Sequence, residues 1–141
     1  MVAEAFTHLR LHTEYSISDG LVTIGPLVES LVGLEMPAVA VTDLANLFGL
    51  VKFYTSSQSA GIKPIGGCDV MVEDEGGGLT PLVLLVQNEQ GYLNLTQLVS
   101  QMYTAGDRTG EPKLAGKDLE GTTEGLIALS GAQRGDVGQA L

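Results

Sequence analysis

Short apolar runs that alternate with stretches of helical spacing constrain this chain more than any other feature. Ala38–Val41 is continuously apolar and closes on Thr42-Asp43, the pattern of a buried strand. Ile65–Val72 reads as a further strand, interrupted by Gly66-Gly67, and Leu82–Val86 and Leu126–Leu129 follow it. Phe6–Leu11 adds an alternating strand, with Phe6, His8, Arg10 and His12 on one face and Thr7, Leu9 and Leu11 on the other. Between these runs, Thr23 is placed to cap a helix with Pro26 in its first turn and Leu27, Val28, Leu31 and Val32 on its apolar side. A second helix is expected over Leu47–Ala60, stopped by Gly61, and a third over Glu89–Tyr103, offering Leu93, Leu95, Leu98, Val99 and Met102 for burial. Glu73–Gly78 reads as a flexible acidic turn. Thr104–Gly121 reads as mostly loop with one helical turn near Asp118, Gly131–Gly135 as a turn, and the last residues to Leu141 as the start of a helix. Strands alternating with helices through short loops predict an α/β fold with parallel strands, closed as a barrel or open as a sheet.

The bulk numbers set limits on what such a fold does. One domain is the default for 141 residues, and 44% hydrophobic content suffices for a core. With 17 acidic and 7 basic residues, a formal charge of −10, the chain lacks the clustered cations of a nucleic-acid interface. Cys68 is the only cysteine, so no intramolecular disulfide forms, which fits a reducing compartment. Met1-Val2-Ala3-Glu4 is acidic and unlike a signal peptide, and no apolar run is long enough to cross a bilayer. These observations give a cytoplasmic expectation with no membrane partner.

In α/β folds, functional groups collect at the C-terminal ends of strands. His8, Arg10 and His12 share the first strand, Asp19 follows in its loop, Asp43 ends the second strand, and Asp69 lies late in the third. Two histidines and three carboxylates so placed suit a metal centre, yet Arg10 plants a cation among them. The competing structural reading makes the histidines hydrogen-bonded core residues and Asp43 the cap of the following helix.

The same residues carry a resemblance. His8-Leu9-Arg10-Leu11-His12-Thr13-Glu14-Tyr15-Ser16 with Asp19-Gly20 resembles the first motif of the PHP (polymerase and histidinol phosphatase) domain. Ala40–Gly49, Gly61–Val70, Gly91–Leu95 and Glu124–Gly131 continue the match in order. The form they resemble is the one that opens the alpha subunit of bacterial DNA polymerase III. The resemblance implies a distorted β/α barrel with metal ligands at its C-terminal mouth, and makes residues 1–141 the N-terminal portion of that domain, with later strands and the polymerase domains beyond it.

Mapped position by position, the resemblance implies a degenerate site. His12 and Asp19 match ligands; Arg10, Leu44 and Pro81 stand where the metal-binding form has histidine, and Asp69 where it has glutamate. No metal, cofactor or catalytic residue is therefore expected in this segment, and Arg10 is expected to bridge Asp19 and Asp69 in place of a metal. Magnesium is expected only in the absent palm domain. The resemblance further implies a scaffold that docks the proofreading exonuclease subunit. Other polymerase III holoenzyme subunits, DNA and deoxynucleoside triphosphates would be met through the rest of the parent polymerase. A metal-dependent phosphoesterase of the PHP type is the alternative, and composition alone would also suit a small acidic interaction protein.

Overall fold

The protein is described by a computed structural model over residues 6–104 and 110–141. The acidic Met1–Glu4 and positions 105–109 of the expected loop lie outside the described residues. Helix α1 (Ile24–Gly33) leads into strand β1 (Ala38–Val41), whose four residues are all buried, as its unbroken apolar run requires. Helix α2 (Leu50–Ser59) leads into the long strand β2 (Lys63–Glu73), and a tight turn returns the chain as β3 (Leu79–Val86). Helix α3 (Glu89–Thr104), the short strand β4 (Leu114–Ala115), strand β5 (Leu126–Ser130) and helix α4 (Asp136–Ala140) complete the order.

The sheet runs β1-β2-β3-β5, with β4 added on β2. Its α/β character matches the expectation, but its direction is mixed. β1 and β2 pair in parallel, whereas β2–β3 and β3–β5 are antiparallel. The reason is geometric: the few residues between Glu73 and Leu79 form a hairpin, and a parallel return needs a crossover of a dozen or more. The acidic stretch is accordingly a built turn. Asp74 Oδ1 accepts from Gly76 N and Gly78 N, both at 2.8 Å, and Gly77 takes φ +81°.

Three further expectations need correction. Gly66-Gly67 does not interrupt β2, which runs unbroken; a Cβ on Gly67 would lie 2.6 Å from Leu84 O and 2.9 Å from Thr42 Cγ2, so glycine lets neighbouring elements approach. Helix α2 begins at Leu50 rather than Leu47, because Leu44–Gly49 is held by the site described below. Phe6–Leu11 is not a regular strand. Ala40 N donates to His8 O at 2.8 Å and Thr42 N to Leu11 O at 2.9 Å. Two steps on β1 thus span three on this segment, a bulge that breaks the period of two.

Two main clusters of side chains cover the sheet. Leu95, Leu98 and Met102 of α3 pack on Cys68, Val70 and Leu84. Ile24, Val28 and Leu31 of α1, with Phe53 of α2, pack on Val39 and Val41. Val32 and Leu93, expected to be buried, are half exposed, since the 3.6-residue period carries them past the contact line. A smaller cluster, Ala40, Val83 and Leu85 with Ile65 and Leu129, borders an open apolar groove of about 860 Å³.

Candidate functional site

Buried Asp43 lies just past the end of β1 and buried Asp69 within the adjoining β2, and backbone bonds lock them side by side: Asp69 N donates to Asp43 O at 3.1 Å, and Ala45 N to Asp69 O at 2.8 Å. A cleft of about 530 Å³ opens over Asp69. Arg10, His12, Asp19, Leu44, Asp69 and Pro81 all line it. Far-separated stretches of sequence therefore converge there, because the bulged segment, β1, β2 and β3 all bring their site residues to one end of the sheet.

The polar groups form one chain of contacts. Arg10 Nε donates to Asp69 Oδ2 at 2.8 Å, and its Nη2 donates to the same oxygen. His12 Nε2 lies 2.9 Å from that oxygen too, while Nδ1 lies 2.9 Å from Asp19 Oδ2. The imidazole therefore stands between two carboxylate oxygens. Asp19 is thus held by His12 and not by Arg10, which corrects the expected bridge: the guanidinium reaches one carboxylate, and the imidazole spans the two. Asp69 Oδ1, in contrast, is buried without a partner among the described residues. His8 is exposed, stacks edge-on against Phe6 at 4.7 Å between ring centres, and lies outside the cleft lining.

This donor set does not fit a metal ion. A bound cation needs several ligands aimed at one point. His12 turns its two nitrogens to opposite carboxylates, so the two carboxylates flank the ring rather than converging with it on a common centre. The Arg10 guanidinium stands against Asp69, and Leu44 and Pro81 have no side-chain donor atoms. Among the described residues, no group of three or more histidine, cysteine, aspartate or glutamate side chains is arranged to hold one.

Asp43 serves a different end from helix capping. Its Oδ1 accepts from Thr13 N at 2.6 Å, Thr13 Oγ1 at 2.9 Å and Ser16 Oγ at 2.8 Å, and its Oδ2 accepts from Thr13 Oγ1 at 2.8 Å. Ser16 Oγ in turn accepts from Leu44 N at 3.0 Å. Asp43 is a buried hub that fixes the loop after His12, while Gly49 takes the N-terminal position of α2. The part played by Thr13 and Ser16 has no signature in the sequence, because hydroxyls before a turn have no distinctive spacing. Ser130, Arg134 and Gln139 also line the cleft, and only the fold brings them there. Beside the hub, burial first and the neighbouring Asp69 carboxylate second push the Cys68 thiol up to about 12. The thiol donates to Asp43 O at 3.4 Å. Desolvation also raises Tyr103, whose hydroxyl donates to Ala45 O at 2.7 Å.

The family model described as PHP domain matches residues 8–141. The DNA polymerase III subunit alpha of Pseudomonas aeruginosa is 50% identical over 139 residues, covering 97% of this chain and 12% of that protein. The corresponding subunit of Escherichia coli K12 is 48% identical over 138 residues, covering 96% of this chain and again 12% of that protein. The chain thus spans about an eighth of the length of the curated relatives it matches. Among solved structures, a protein of Bifidobacterium adolescentis assigned as a metal-dependent phosphoesterase superposes with a TM-score of 0.57 at 17% identity, over 73% of this chain and 35% of that one. An amidohydrolase of Chromobacterium violaceum superposes with a TM-score of 0.55 at 21% identity, over 70% and 33%. At these identities the structural matches establish the fold alone.

Proposed function

The chain belongs to the PHP domain family, and from that premise we propose that it is the N-terminal PHP segment of a replicative DNA polymerase alpha subunit, serving as scaffold and docking surface around a lost metal site. The parent enzyme extends DNA primers with deoxynucleoside triphosphates in the cytoplasm, using magnesium in a palm domain outside this segment. Its partners are the proofreading exonuclease and the other holoenzyme subunits.

The observation that carries this reading is the pairing of Arg10 with Asp69 where a metal centre would need a ligand. Arg10 takes over the charge-neutralising part of a metal, and His12 links Asp69 to Asp19. A positive group at that point stabilises the carboxylates but activates no water, so hydrolysis has no nucleophile to draw on. Identities of 50% and 48% to polymerase subunits support the polymerase context. The net charge of −10 supports contacts with protein rather than DNA in this segment. No helix among the described residues is long and apolar enough to cross a membrane.

The open apolar groove beside Ile65, Leu85 and Leu129 supports the reading of residues 1–141 as part of a larger barrel whose later strands cover it. The decisive experiment is the DNA sequence downstream of the Leu141 codon. An open frame leading into a polymerase palm is expected; a stop codon there sinks the proposal. The phosphoesterase alternative has its own assay, release of phosphate from a generic phosphoester with added manganese. Turnover abolished by His12→Ala would revive it.

A further inference from the structure

The loop 44–49 supplies one wall of the cleft through Leu44 and lies against the buried Cys68, whose Sγ is 3.4 Å from Asp43 O and 3.7 Å from Asn46 O. Most of its polar ties run to the cleft side. Leu44 N donates to Ser16 Oγ at 3.0 Å, Asn46 Nδ2 to Tyr15 O at 2.9 Å, and Ala45 N to Asp69 O at 2.8 Å. Asn46 Oδ1 folds the loop on itself by accepting from Phe48 N at 3.0 Å. The Ala45 carbonyl is the exception. It turns to the other side and accepts from the Tyr103 hydroxyl, in the last turn of α3, at 2.7 Å.

Ala45 takes φ 57°, the left-handed conformation that a residue with a Cβ avoids. It is held there from both ends, its N–H by Asp69 O and its carbonyl by Tyr103. Apolar anchorage of the loop is thin. Leu44 and Leu47 are only partly buried against the cluster under α3, and Phe48 is 68% exposed. A strained segment with few buried apolar contacts opens locally at less cost than the whole protein unfolds. Tyr103 is itself 54% exposed, so its hydroxyl, rather than the packing of its ring, is its specific contribution to the loop.

We propose that Tyr103 is a latch: its hydroxyl holds the loop 44–49 shut, so that the last turn of α3 and the wall of the cleft act as one coupled element. With the latch engaged, Ala45 keeps its left-handed turn, Leu44 stays in the cleft wall and Cys68 stays covered. With the latch released, the Ala45 carbonyl loses its donor, the strain at Ala45 relaxes, and the loop lifts from the cleft and from the thiol together.

The thiol reports the latch. Cys68 is 0% exposed, so an alkylating reagent reaches it only from an opened state. The test follows alkylation of Cys68 by N-ethylmaleimide in the full-length protein, read by mass spectrometry of the peptide that carries it. Tyr103→Phe, which removes the hydroxyl and keeps the ring, is expected to speed this labelling about fivefold, what one neutral hydrogen bond accounts for. The faster labelling is expected to change little in dilute urea, because local opening exposes little surface. Tyr54→Phe is the matched reference. That ring is 50% exposed, and its hydroxyl accepts from Gln58 Nε2 at 2.9 Å on α2. Its loss is expected to leave the labelling of Cys68 unchanged. Labelling of Tyr103→Phe at the rate of the unaltered protein, equal acceleration by Tyr54→Phe, or a rate that climbs with urea as steeply as global unfolding does would overturn the proposal.

Discussion

Asp43 and Asp69 are neighbours with the same side chain and nearly the same burial, 2% and 1% exposed, yet their surroundings divide the labour of the site. Around Asp43 every donor is neutral, a backbone amide and two hydroxyls, and both carboxylate oxygens are used. Around Asp69 the donors are a guanidinium and an imidazole crowded onto one oxygen, while the other oxygen has none. The first arrangement is what folding selects for a structural hub, because a buried polar group must be satisfied. The second sets a positive side chain against a buried carboxylate and leaves one of its oxygens without a donor among the described residues.

That contrast breaks most directly at the hub. Asp43→Ala leaves Thr13 N and two hydroxyls unpaired in the interior, at an expected cost of about 4 kcal/mol in urea unfolding of the intact protein. A loss below about 1 kcal/mol would mean that the loop repacks without the hub. Arg10→Ala is expected to cost less, about 1–2 kcal/mol, because the guanidinium stem is 57% exposed and its pair with Asp69 is partly screened. An unchanged midpoint would show that the cation does not hold the cluster.

The thiol between the two aspartates sharpens the comparison through pH. Cys68 is raised from an ordinary 9.0 to about 12, so the native state keeps its proton where the unfolded chain releases it. Stability is therefore expected to be intact below about 9 and to fall as pH rises toward about 12. Thermal melts of the protein and of Cys68→Ala across that window check this; parallel curves for the two would refute it. The smallest expected effect is that of metal removal. Chelation should leave the melting temperature unchanged, and elemental analysis should find no stoichiometric zinc or manganese. A stoichiometric metal lost on His12→Ala would erase the distinction drawn between the two aspartates.

Much of the fold could be read in the chain. The Ala38–Val41 strand and the apolar stripe of α3 at Leu95, Leu98 and Met102 follow from periodicity, since burial alone dictates such runs. The antiparallel return of β3 is also encoded locally, in a connection too short for a crossover, although the alternation of element types points to parallel strands. The bulge between His8 and Leu11 was not visible, because an extra residue in one strand leaves no mark on composition. It shifts the phase of alternation, so that Arg10 and His12 reach the cleft while His8 does not.

Composition fixes which chemistries are available: a lone thiol, few cations, and at the cleft an arginine, a leucine and a proline whose side chains give a metal nothing to bind. Those are properties of side-chain atoms and survive any folding. Which groups meet is settled by the three-dimensional fold. Arg10 chose Asp69 over Asp19, His12 stood between the two carboxylates, and Asp43 turned from the helix that follows it to the loop that precedes it. Each of these pairings spans residues apart in the chain, and contact geometry between separate strands and loops follows from backbone register, which local sequence does not encode.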